Sequence, residues 1–208
     1  LRRSVRVTIR PAAEPVTLGE ARAYAKIDGT DDDPLIASLI TAATEAAEQH
    51  LRRAIISQTL TLTLDPQPSG CYYNLPAGVY DLPVSALYGS LPTQIELPKG
   101  PVSSITSVTT YDEDGNATVM SASGYFLSGD RFALKSMSVW PVNLRSMGAL
   151  EIAYVAGFGP AASDVPQPVK TAILMHVQRM YDERIVCEMP ESCATLLRHY
   201  RVMDGLGA

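Results

Sequence analysis

The chain has 208 residues, 46% of them hydrophobic, and a formal net charge of −5. That length suffices for one substantial core or two small ones, and the apolar content excludes a disordered chain. No run of about 18 apolar residues occurs, so no membrane span is expected. The charge is uneven. Arg2, Arg3, Arg6 and Arg10 fall in the first ten residues with no acid, and with their +4 removed the remainder carries −9. A protein that grips nucleic acid shows a basic footprint; here it amounts to a short basic arm on an acidic body. That arm lacks the apolar segment that would make it a signal peptide. Cys71, Cys187 and Cys193 form no C-x-x-C pair, which points to free thiols in a reducing compartment rather than a disulfide framework.

In chain order, "SVRVTIR" (4–10) alternates, with Val5, Val7 and Ile9 on one side and Arg6, Thr8 and Arg10 on the other. That is a strand with one wet face. In "TLGEARAYAKI" (17–27), Thr17 and Glu20 have capping-box spacing. A helix from about Leu18 to Lys26 follows, ended by Asp28–Gly29.

Four acids come next, Asp28, Asp31, Asp32 and Asp33, ahead of a long apolar pattern. They form either a metal or catalytic cluster or the start of a helix. A calcium loop opening at Asp28 requires a glutamate twelfth in line, where Leu39 stands, and no histidine is nearby. Pro34 suits the first helical position, and Asp33 before it is expected as the N-cap, worth roughly 1 kcal/mol. Asp31 and Asp32 then lie at the positive end of the helix dipole. The helical reading also accounts for the stripe Leu35, Ile36, Leu39, Ile40, Ala43, Ala47 and Leu51, with Glu48 and Arg52 spaced as an i,i+4 pair. It is the reading adopted.

From residue 57 the period changes. "QTLTLTLD" alternates strictly. Short β-like runs follow in a Pro-, Gly- and Ser-rich background: "QIEL", "SITSVTTY", "ATVM", "YFL", "RFALK" and "ALEIAYVAG". "LPAGVYDLP" reads as a loop or irregular edge, and "DEDGN" (112–116) as a turn. Helical spacing returns after Pro166 and Pro168, with Val169, Ile173, Val177, Met180 and Tyr181 as a stripe. A last helix from Pro190 puts Leu196, Leu197, Tyr200 and Met203 on one side and ends at Gly205. The expected class is α+β. N- and C-terminal helices (residues 1–56 and 159–208) pack as a helical bundle, and a mostly antiparallel β subdomain (57–158) is inserted between them.

Catalytic constellations are missing from the sequence. There is no G-x-S-x-G elbow, Walker loop or H-E-x-x-H. "GFG" (157–159) reads as a turn, and His50, His176 and His199 each stand alone on a helix. Cys187 is eleven residues from His176, about 16 Å along a helix axis, too far for a nucleophile and its base. Asp112, Glu113 and Asp114 belong to turn chemistry, and Trp140 to packing. We therefore expect no enzyme activity, no catalytic residue, no cofactor and no metal site.

The segments "EPVTLGEARAYAKIDGTDDDPLIASLITAATEAAEQHLRRAIISQTL", "LPKGPVSSITSVTTYDEDG", "VWP", "ALEIAYVAGFG", "VPQPVKTAILMHVQRMYDER" and "LLRHYR" together resemble, in content and order, the phage head–tail connector (adaptor) family. The resemblance runs from about Glu14 to Arg201, with residues 66–92 longer than the family's usual link. It implies a structural virion protein at the head–tail junction, synthesised in the host cytoplasm. Copies of such a protein form a ring, typically twelve-fold, between the portal protein and a tail-side connector or stopper, and double-stranded DNA passes through it without a membrane being involved. It also implies that the C-terminal segment docks on the portal, which makes Leu196, Leu197, Tyr200 and Arg201 the candidate partner-binding residues. Two other classes stay open: a DNA-binding module using the arginine arm, and an enzyme with a nonstandard site.

Overall fold

The computed structural model describes residues 2–66, 91–184 and 188–202. Cys71, Cys187, the 75–83 segment, Met203 and Gly205 lie outside the described residues. The α+β class is what the structure shows, and the chain divides into two compact units.

One unit is helical, built from Arg10–Gln58, Lys99–Pro101 and Ala156–Ala208. Helix α1 (Leu18–Ala25) opens on the expected capping box: the Thr17 hydroxyl accepts from the Glu20 N–H at 3.2 Å, and the Thr17 N–H donates to the Glu20 carboxylate at 2.6 Å. These bonds, the backbone one foremost, hold the Glu20 carboxyl below its ordinary pKa. The helix ends at Lys26, in the left-handed region at φ 54°, ahead of the expected Asp28–Gly29 stop. Helix α2 (Asp33–Leu51) starts one residue earlier than expected. Asp32, not Asp33, is its N-cap residue, and its side chain makes no capping bond. Tertiary partners draw both carboxylates away: Asp32 accepts from the Tyr181 hydroxyl, and Asp33 pairs with Arg22 at 3.4 Å.

The buried stripe of α2 is Ile36, Ile40, Ala43, Thr44, Ala47 and Leu51. Leu35, expected on that stripe, is 46% exposed, because it sits about 100° around the helix from Ile36. Helices α3 (Gln167–Glu183) and α4 (Glu191–Leu197) complete the unit, and α2 packs on both. Val169, Ile173, Val177, Met180, Cys193 and Leu197 join the α2 stripe in one core. The "GFG" turn is laced to its neighbours by backbone bonds: Gly157 N–H to Pro101 O, Phe158 N–H to Ile55 O, and Ser57 N–H to Gly159 O.

The other unit comprises Leu1–Ile9, Thr59–Pro98 and Val102–Val155. Its strands are β1 (Arg3–Ile9), β2 (Gln58–Leu64), β3 (Gln94–Glu96), β4 (Val102–Tyr111), β5 (Ala117–Val119), β6 (Tyr125–Ser128), β7 (Arg131–Leu134) and β8 (Leu150–Ala156). Five form a sheet in the order β1-β2-β8-β4-β5, and three form a second in the order β3-β7-β6. The boundary differs from the sequence expectation at the start. The sequence pattern places residues 1–9 with the helical body, yet β1 pairs antiparallel with β2, Val5 opposite Leu62 and Val7 opposite Leu60. Backbone pairing satisfies a strand that has no ladder partner among helices.

Leu60, Leu62, Leu64, Leu150, Ile152 and Tyr154 are fully buried. The Tyr154 hydroxyl donates to Pro98 O at 2.7 Å, and burial holds its pKa well above the ordinary tyrosine value. In the second sheet Phe132 stands opposite Ile95 on one side and Leu127 on the other. "DEDGN" forms the β4–β5 turn. Asp112 accepts from both the N–H and the side-chain amide of Asn116, which lowers its pKa.

Candidate functional site

The C-terminal segment carries the residues singled out by sequence. After α4 the chain makes one 3-10 turn (Arg198–Tyr200), and the Val202 N–H then bonds Leu51 O at 3.0 Å. Leu197 is fully buried in the helical core, so its side chain faces its own unit. Leu196 is 37% exposed, and Arg201 is exposed. Tyr200 is half-buried, its ring edge-on to Phe158 with centroids 6.4 Å apart. Arg201 lies near His50, where burial first and the arginine charge second hold the imidazole below its ordinary pKa. The four residues therefore split: one is in the core, one is half-packed, and Leu196 and Arg201 face outward.

The acidic stretch before α2 is dispersed. Asp32 and Asp33 are tied to Tyr181 and Arg22, while Asp28 and Asp31 are exposed. Among the described residues no group of three or more His, Cys, Asp or Glu could hold a metal ion. No helix among them is long and apolar enough to cross a membrane.

The arginine arm is built into a sheet edge. Arg2 and Arg3 line a shallow cleft with Ser4, Thr63 and Asp65, and the Asp65 carboxylate accepts from the Gly148 N–H at 2.7 Å. The Arg6 charge reaches Tyr111, whose hydroxyl donates to Glu151 at 3.1 Å. The Arg145 guanidinium lies 4.0 Å from the Tyr111 ring centroid.

Sequence reading passed over the connection between β7 and β8. Along it Met137 is 97% exposed, Val139 81%, Met147 71% and Val142 65%. Exposed apolar residues clustered in this way mark contact surfaces. The base of the loop is fixed. Trp140 stacks on Phe132 with centroids 5.9 Å apart, and its Nε1 donates to Pro92 O at 3.0 Å, the packing role expected of it. The Arg145 guanidinium donates to Gly148 O, and the Arg145 N–H to Tyr111 O. The signal in the sequence was four large apolar residues with neither helical nor strand period, in a stretch holding Lys135 and Arg145 and no acid.

The helical unit carries a concave feature, a groove of about 300 Å³ lined by Tyr24, Met175, Gln178, Arg179, Asp182 and Pro190, among others. Tyr24 is 39% exposed, and Arg179 pairs with Glu183 at 3.0 Å.

No family model matches the chain, and no curated protein matches it. Its fold is similar to chains of three solved structures. One is from the neck of an empty gene transfer agent (GTA) particle computed with C6 symmetry, at TM-score 0.76 and 20% identity over 99% of this chain and 98% of that one. Another is from the neck of a native GTA particle computed with C12 symmetry, at 0.72 and 21% over 99% and 98%. The third is from the virion of a native GTA particle, at 0.71 and 22% over 98% of each chain. At these identities the likeness is one of fold.

Proposed function

We propose that this chain is a structural neck protein of a phage-like particle. Specifically, it is a head–tail connector whose copies form a ring, twelve-fold in the family it resembles, between the portal and the tail-side connector. The observation that carries this reading is the end-to-end likeness of fold, along 99% of this chain, to chains of the two neck structures. The exposed apolar loop adds to it, since such surfaces are covered in assemblies. A ring needs two unlike surfaces per copy, so that each meets a different face of the next. The two units, one helical and one of sheets, offer them. The charge distribution also suits a conduit for DNA: an acidic body withholds the counterion release that makes basic channels adhesive. Arg2 and Arg3 share a cleft with the acid Asp65, which favours this role over a duplex-gripping arm.

On the portal side we assign the contact to Leu196, Tyr200 and Arg201; aromatic and arginine residues are the types that anchor interfaces. The test is electron microscopy of particles made with and without this chain. DNA-filled heads that accumulate without tails support the reading. Normal tailed particles lacking the protein refute it.

A further inference from the structure

The β7–β8 loop is an exposed apolar segment with basic residues, and the α1–α3 groove is a recess lined by Tyr24, Met175 and Pro190 together with Asp182 and Glu183. We propose that residues 135–147 of one copy seat in the Tyr24–Met175–Pro190 groove of the next copy, joining neighbours head to tail. This rests on the ring reading above and names the surfaces that would build the ring.

Three observations converge on it. Met137 and Val139 are almost fully exposed, and methionine is the apolar side chain best able to fill an irregular recess. The loop carries Lys135 and Arg145 with no acid between them, whereas the groove holds two acids, Asp182 and Glu183, against one cation, Arg179, which pairs with Glu183 and leaves Asp182 to meet a basic partner. Complementary charge of this kind sets register between partners. Finally, the loop is rigid at its base. Trp140 is stacked and hydrogen-bonded, and Leu144 bridges to Asp112. A preorganised loop loses less freedom on docking than a floppy one. The two surfaces are different parts of the chain, in different units, so the contact is heterologous, the type that closes rings.

Particles carrying the Val139→Cys/Asp182→Cys chain, treated with a short bismaleimide, are expected to give a ladder of dimers, trimers and higher adducts. Each single-cysteine variant should give only the wild-type background. Both positions are exposed, and circular dichroism of the purified variants checks that folding is intact. In parallel, Lys135→Glu and Asp182→Lys should each lower the amount of this chain in purified necks several-fold, and the double variant should restore it.

Necks with full occupancy and no ladder overturn the pairing while leaving the neck role standing. If Met137→Asp empties the necks and the double-cysteine chain still gives no ladder, the loop docks on a different protein and the pairing is wrong. If the wild-type chain is missing from necks altogether, the neck role falls, and the pairing falls with it.

Discussion

The Tyr181 hydroxyl donates a hydrogen bond to the carboxylate of Asp32, 149 residues away in sequence. It ties the last turn of α3 to the residue that opens α2. The bond favours the protonated phenol beside an ionised carboxylate, and it is the first cause holding the Tyr181 pKa above the ordinary 10.0. A raised folded-state pKa contributes stability that is complete below the unfolded value and is lost as pH climbs through the folded value. Tyr181→Phe should therefore lower stability at neutral pH, and the gap to wild type should narrow above pH 10. Urea melts at pH 7 and at alkaline pH measure this. A constant gap across the range would show that the phenol–carboxylate bond is not its source.

Thr17→Ala removes the hydroxyl that closes the α1 capping box and should cost about 1 kcal/mol. The sign in acid runs opposite to that of Tyr181. Glu20 is held below its ordinary pKa, so its contribution exists above the unfolded value and fades as pH falls through the folded one. Chemical denaturation at pH 7 and in acid should show the penalty shrinking in acid.

Gly157 has φ +142°, and a Cβ there would come within 2.5 Å of the Ser57 nitrogen and 2.6 Å of the Ile56 carbonyl carbon. Both obstacles are backbone and cannot rotate away. Gly157→Ala should therefore destabilise by more than about 1 kcal/mol, read as a lower denaturation midpoint.

Leu196 and Leu197 are adjacent and should behave differently. Leu197→Ala empties a fully buried site and should cost about 2–5 kcal/mol. Leu196→Ala should stay within about 0.5 kcal/mol of wild type in the isolated protein and show its effect only in portal binding. Thermal melts paired with pull-down on the portal protein separate the two. Equal losses of stability would contradict the orientations described above.

Local signals were readable from sequence. The Thr17–Glu20 box, Pro34 at the head of α2, the six strand-like runs and the "DEDGN" turn each depend on residues within a few positions of one another, where propensity and period act. The misses have a common physical origin in long-range contacts. Asp33 has the composition of an N-cap, but Arg22 and Tyr181 compete for the carboxylates beside α2, and neither is visible from that stretch. The alternation of β1 was plain, yet nothing in it named β2 as its partner, some fifty residues on.

The candidate surfaces were less legible for the same reason. Met137 and Val139 look like core residues until their exposure is known. Leu196 and Leu197 are indistinguishable by type. Only the last helix's rotation against its core assigns them opposite directions.

Each compact unit is assembled from separated stretches of chain, the sheet unit from Leu1–Ile9, Thr59–Pro98 and Val102–Val155. No single excised fragment therefore contains a whole unit, and expressing 57–158 alone would leave β2 without its N-terminal partner strand. On a ribosome, β1 emerges first and must wait for β2, so the nascent sheet begins life incomplete.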